Sequence, residues 1–213
     1  MYKNILFDLD GTLTDSKEGI VNSFIYALKQ YNIEVEDRED LNVCIGPPLQ
    51  DSFENVFGFS TLEARNAIVK YREYYSDKGM LENSVYPNIY EMLERLKKGG
   101  KRLFVATSKP EKFTYIILEH FDLLKYFEFV SGASNDDRFC KKVDIIRRVI
   151  EIYNLNLEET IMVGDRLHDM VGAKENGIAA IGVLYGYGTI EEFETHGAKY
   201  IAKDALEIVD ILL

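Results

Sequence analysis

The sequence predicts an α/β protein: a mostly parallel sheet flanked by helices, with an all-helical block inserted after its first strand. Three observations carry that expectation. Short apolar runs alternate with amphipathic helical stretches along most of the chain, the pattern of parallel strands joined by crossover helices. The alternation stops after the first run and restarts near residue 84, so residues 1–15 and 84–213 form the α/β core and residues 16–83 the helical block. Finally, several apolar runs end abruptly in carboxylates or hydroxyls, as strands do when their carboxyl ends line a ligand crevice.

The elements follow in order. Lys3 to Phe7 reads as a buried strand, and Ser16 to Tyr31 as a helix with Ile20, Val21, Phe24, Ile25, Leu28 and Tyr31 at helical spacing. An acidic stretch, Glu34 to Asp40, leads to the rigid loop Ile45-Gly46-Pro47-Pro48 and a short helix through Phe57. Ser60-x-x-Glu63 is a capping-box pattern that opens a helix running to Gly79. After Val85, Pro87-Asn88 opens a helix closed by Gly99-Gly100, and Arg102 to Ala106 is a strand leaving at Thr107-Ser108-Lys109-Pro110. Pro110 suits the first turn of the helix through His120. A short strand is expected at Phe127 to Val130, and an amphipathic helix at Lys142 to Tyr153 with Val143, Ile146, Val149 and Ile150 inward. Thr160 to Val163 is a strand leaving at Gly164-Asp165, Leu167 to Asn176 a helix closed by Gly177, and Ile178 to Leu184 a strand before the loop Gly186-Tyr187-Gly188.

Composition narrows the function. At 213 residues the chain suits one large domain or a core with an insertion. A chain of that length buries roughly 70% of the surface its unfolded form exposes. A net charge of −11 and a pI near 4.8 argue against a nucleic-acid partner. The two cysteines, Cys44 and Cys140, lack C-x-x-C spacing and fit reduced thiols of a cytoplasmic protein. No leader-like segment and no apolar run near 18 residues is present, so neither secretion nor a membrane partner is expected. A monomer is the default expectation and a dimer the alternative.

The chemistry converges on three strand exits. Asp8 and Asp10 stand two positions apart at the end of the first run, ahead of Gly11 and Thr12. Side chains alternate along a strand, so both carboxylates face one way if strand geometry continues past Phe7. Two such charges need a cation, a shared proton or water to coexist. Gly164-Asp165-Arg166-Leu167-His168-Asp169 supplies further acids at a second exit, and oxygen-only ligands suit Mg2+. A carboxylate cluster around Mg2+ attracts an anionic oxygen ligand, typically phosphate. Thr107 and Ser108 then offer donors, and Lys142, or its neighbour Lys141, a positive charge. Singly, each of these is an ordinary turn, helix start or surface charge; all of them together, in this order, are not. His120, His168 and His196 lack metal-ligand spacing, and no G-x-x-x-x-G-K-[ST] phosphate loop occurs.

D-L-D-G-T-L-T-D-S, then V-A-T-S-K, then a lysine, then G-D-R-L-H-D resembles the motif set of the haloacid dehalogenase superfamily of phosphohydrolases. The motifs span the whole core, and the helical block resembles the family's helical cap on a Rossmann-like core. Within it the chain is similar to phosphoglycolate phosphatase-like enzymes. Ile45 to Leu49 and Gly182 to Gly188 resemble a branch of 5′-nucleotidases or generic phosphatases. The resemblance implies that Asp8 is a nucleophile forming an aspartyl-phosphate, and Asp10 a general acid and then base whose backbone carbonyl binds Mg2+. It implies that Asp165 and Asp169 are further metal ligands, that Thr107 and Ser108 hold the phosphoryl group, with Gly11 and Thr12 also binding substrate, and that Lys142 faces the phosphate. Spacing to Ile145-Ile146 favours Lys142 over Lys141 in that role. A threonine at Asp10 would point to a P-type ATPase, and loss of the second acid to a dehalogenase.

The expectation is therefore a Mg2+-dependent phosphatase acting on a small phosphorylated metabolite through an aspartyl-phosphate. A β-phosphoglucomutase-like phosphomutase shares the four motifs. A non-enzymatic phosphoacceptor signalling domain uses similar groups but would not need a helical insert.

Overall fold

β1 (Asn4–Phe7) reads N-I-L-F and is buried along its length. A strand buried on both faces belongs at the centre of a parallel sheet, where helices cover both sides. The computed structural model describes residues 1–134 and 139–213. The chain forms two compact units, Met1–Asp15 with Val85–Leu213, and Ser16–Ser84. Two-residue strands stand where it passes from one to the other, β2 (Thr14–Asp15) and β3 (Ser84–Val85).

The second unit is helical: α1 (Lys17–Lys29), α2 (Leu49–Asn55) and α3 (Thr61–Tyr74), with a 3-10 turn at Arg38–Cys44. The Ser60–Glu63 capping box forms, with each side chain bonded to the other's backbone N–H. The helix it opens was expected to reach Gly79. It instead loosens at Tyr74 into a π turn over Tyr75–Gly79. The core of this unit is aromatic. Phe24 lies 5.1 Å from Phe53, 6.1 Å from Phe57 and 5.0 Å from Tyr71, ring centre to ring centre.

The first unit carries the sheet. β4 (Arg102–Pro110), β5 (Phe129–Ala133), β6 (Thr160–Gly164), β7 (Ala179–Val183) and β8 (Tyr200–Ala202) join β1 in the order β5-β4-β1-β6-β7-β8, with every pairing parallel. Leu6 stands in register with Phe104 on one side and Met162 on the other. That row packs with Ile145, Ile146 and Val149 of α6 (Lys142–Tyr153) and with Met170 and Ala173 of α7 (Leu167–Glu175). The alternate row, Ile5, Phe7, Leu103, Val105, Ile161 and Val163, is equally buried, so the opposite face is covered too. The remaining helices are α4 (Ile89–Lys98), α5 (Glu111–His120), α8 (Ile190–His196) and α9 (Ala205–Leu212).

β5 falls two to three residues later than the expected Phe127 to Val130, because Phe127 leaves the ladder to pack edge-on against Phe7, 6.2 Å away. β8, α8 and α9 were not anticipated. Strand order reverses at β1: the chain builds β4 and β5 on one side, then returns to place β6 on the other. Open parallel sheets bind ligands at such a reversal, beyond the carboxyl ends of the strands.

Candidate active site

Asp8 follows β1 directly, and its N–H still bonds to Val163 O at 2.9 Å. Beyond it the chain abandons strand geometry. Thr12, Leu13 and Thr14 all donate N–H bonds back to Leu9 O, and Gly11 N–H bonds to Thr14 O at 2.8 Å. The alternation expected to carry both carboxylates to one side therefore ends at Phe7, and the two carboxylates take different lysine partners, Lys142 for Asp8 and Lys109 for Asp10. Gly11 makes the turn at φ +78°, and a Cβ there would lie 2.1 Å from Asp165 Oδ2. Only a glycine combines that backbone with that approach.

Asp8, Asp165 and Asp169 each offer a carboxylate oxygen, and these oxygens lie within 4.8 Å of one another. Lys142 reaches into the group from the first turn of α6. Its Nζ stands 2.8 Å from Asp8 Oδ2 and 2.8 Å from Asp169 Oδ1, and it donates to Ala106 O at 3.1 Å. Lys141 is exposed and stands at the N-cap position, so of the two lysines Lys142 is the one in the cluster. Asp169 also accepts from Arg166 N–H at 3.1 Å, which ties it to its own loop. Asp165 accepts from Thr12 Oγ1 at 3.3 Å and from Tyr187 N–H at 3.0 Å.

The electrostatics are unbalanced. Three carboxylates face one ammonium, an excess of two negative charges when all are ionised. Burial, and then the charges of Asp169 and Asp8, raise the Asp165 carboxyl well above the usual range. Asp169 is raised as well, chiefly by burial, against the pull of Lys142. Burial alone would depress the Lys142 ammonium, but the flanking Asp169 and Asp8 carboxylates overcome it and hold it above the ordinary lysine value. An all-oxygen donor set with this excess charge fits a hard divalent cation.

The other expected residues have separate surroundings. Asp10 is not among the three clustered acids; its Oδ2 accepts from Lys109 Nζ at 2.5 Å, and its buried Oδ1 has no hydrogen-bond partner. Thr107 is buried and its Oγ1 accepts from Lys109 N–H at 3.3 Å, whereas Ser108 is exposed. Sequence reasoning missed Lys109 and the close approach of the loop after β7 to the site. Gly186 packs so closely on the site that a Cβ would lie 2.4 Å from Asp165 Cβ and 2.2 Å from Gly11 O. Tyr185 and Tyr187 anchor this loop through their hydroxyls. Tyr185 OH donates to Thr12 O at 2.9 Å and Tyr187 OH to Asp15 Oδ1 at 2.8 Å. No helix of the described residues is long and apolar enough to cross a membrane.

Known proteins are similar to this chain. A family profile described as haloacid dehalogenase-like hydrolase matches residues 5–183. The chain is 40% identical over 211 residues to a 5′-nucleotidase of Pseudomonas aeruginosa, covering 99% of this chain and 96% of that one. It is also 40% identical over 184 residues to the tyrosine-protein kinase PtkA of Mycobacterium tuberculosis, covering 86% of this chain and 62% of the kinase. The crystal structure of a predicted phosphatase from Clostridium acetobutylicum superposes with a TM-score of 0.95 at 45% identity, over 100% of this chain and 98% of that one.

Proposed function

This chain belongs to the haloacid dehalogenase-like hydrolases, and from that membership we propose that it is a Mg2+-dependent phosphatase of small phosphate monoesters, with 5′-nucleotides as the first substrates to test. The observation that carries the reading is the set of Asp8, Asp165 and Asp169 around Lys142, in which Asp8 is the most exposed acid. The nucleotidase supports the substrate class because it matches along nearly its whole length, whereas the kinase extends well beyond the shared part.

In this reading a carboxylate oxygen of Asp8 attacks phosphorus, and an acyl-phosphate bond forms as the bond to the leaving oxygen breaks. Asp10 gives its proton to that oxygen. The Asp10 carboxylate then takes a proton from a water molecule whose oxygen attacks the same phosphorus, freeing phosphate and restoring Asp8. Lys142, Thr107 and the Ser108 backbone bind the phosphoryl oxygens and balance charge that develops on them. Asp8, Asp165 and Asp169 would hold the cation through side chains and Asp10 through its main-chain carbonyl. Mg2+ bound there supplies charge neutralisation at the phosphoryl oxygens. The helical unit takes the cap role that the family resemblance implies, and with it the choice of leaving group.

Asp8→Asn tests the scheme. It should lower Mg2+-dependent hydrolysis of p-nitrophenyl phosphate by at least about 1,000-fold while the circular dichroism spectrum is retained. Activity that survives this change, or persists in chelator, overturns the mechanism. A panel of nucleoside 5′-monophosphates, phosphoglycolate and pyrophosphate tests the substrate. Conversion of a hexose 1-phosphate to its isomer without release of phosphate would instead identify a mutase.

A further inference from the structure

Lys109 is nearly as buried as Lys142, with 5% of its side chain exposed against 4%, yet the reading above gives it no part. A buried ammonium is costly unless matched, and its match here is the Asp10 carboxylate. The backbone is built to bring it there. Between Ala106 and Pro110 the register of β4 slips: four steps on β4 accompany the two steps from Ser131 to Ala133 on β5. Such bulges re-aim side chains. This one leaves Ser108 exposed and turns Lys109 inward, with its N–H held by Thr107 Oγ1 at 3.3 Å.

The consequence falls on Asp10. Its Oδ2 is taken by Lys109 at 2.5 Å, while its Oδ1 is buried with no hydrogen-bond partner. Asp10 lies two residues from Asp8 and next to Gly11, which abuts Asp165, so it borders a cluster already over-supplied with acids. We propose that Lys109 is a positioning residue for Asp10. It draws one carboxylate oxygen out of the acid cluster and leaves the other facing the reacting atoms, so that Asp10 transfers protons rather than joining the cluster as a fourth acid side chain. This rests on the phosphatase reading above and adds a residue that the reading does not need.

The test compares kcat/KM for p-nitrophenyl phosphate, whose leaving group needs little protonation, with that for an alkyl phosphate, whose leaving group needs it fully. Lys109→Met should lower the alkyl value about 100-fold more than the p-nitrophenyl value, the scale of a misplaced general acid. Lys109→Arg, which keeps the charge, should recover part of that difference. In an Asp10→Asn background Lys109→Met should add less than about threefold, because the residue acts through Asp10. Equal losses on both substrates, or full additivity with Asp10→Asn, overturn the proposal while leaving the phosphatase intact. If the wild-type protein hydrolyses neither ester, both readings fall together. Thermal unfolding of each variant separates these outcomes from loss of fold, and Lys109→Arg carries the test if Lys109→Met does not fold.

Discussion

The aromatic core of the helical unit and the carboxylate cluster at the exits of β1 and β6 are both buried, and they relate to stability in opposite ways. Around Phe24 the rings of Phe53, Phe57 and Tyr71 lie within 6.1 Å. Each fully buried ring gains roughly 1.5–3 kcal/mol on leaving water, with a further 0.5–1.5 for a well-placed aromatic pair. Asp165 and Asp169 are as deeply buried, at 1% and 0% exposure, yet they repel each other and Asp8, with Lys142 offsetting only part of the charge. The first region stabilises the fold whether or not anything binds. In the second, unbalanced acids oppose folding, and under the proposed function a cation bound there would offset that repulsion. Such a cluster persists because the apolar strands beside it, Ile5 to Phe7 and Ile161 to Val163, hold its backbone in place.

Phe24→Ala should break the first half of this contrast most severely. Removing a fully buried phenylalanine costs about 3–5 kcal/mol. The chain has no tryptophan, so urea unfolding is followed by tyrosine fluorescence or circular dichroism. A loss under about 1 kcal/mol would mean that the aromatic cluster is not what holds this unit together.

Metal binding sharpens the second half. At a Mg2+ concentration 100 times its dissociation constant the protein should gain about 2.7 kcal/mol, since a ligand that binds only the folded state stabilises it by mass action. Asp169→Asn, which removes one of the three acids, should abolish most of that gain. A Mg2+ increment that is unchanged by Asp169→Asn would place the cation elsewhere. The readout is the thermal midpoint in chelator and in saturating Mg2+.

Both regions differ in how far they can be read from residues alone. The sheet was legible because β1, β4 and β6 are apolar runs that stop at polar exits, and the start of α3 was legible because Ser60 and Glu63 stand at capping-box spacing. Lys142 was legible as the inward lysine from its spacing to Ile145 and Ile146. Lys109 was not, because strand alternation gives no warning of the slip in β4 that turns it inward. The tight packing of Gly186 on Asp165 joins segments 21 positions apart and leaves no local pattern. β8 was missed because three residues at a sheet edge, two of them only half-covered, carry too little periodicity to register.

The smallest expected effect is also the most direct probe of the excess charge. In the unfolded chain Asp165 titrates at an ordinary carboxylate value. In the fold, burial and then the Asp169 and Asp8 charges raise it well above that value. Between the two values the folded protein holds a proton that the unfolded chain has lost. The metal-free protein is therefore most favoured below the ordinary carboxylate range, and it loses stability as pH rises through that window. Each tenfold increase in proton affinity is worth about 1.4 kcal/mol. Asp165→Asn removes the titrating group, so in chelator it should flatten the fall in thermal midpoint as pH rises above the ordinary carboxylate range. The same change should remove the Mg2+ response, because it takes away one of the three acids that would hold the cation. If wild type and Asp165→Asn show the same pH slope in chelator, the cluster carries no stored repulsion, and the contrast with the aromatic core fails at its electrostatic end.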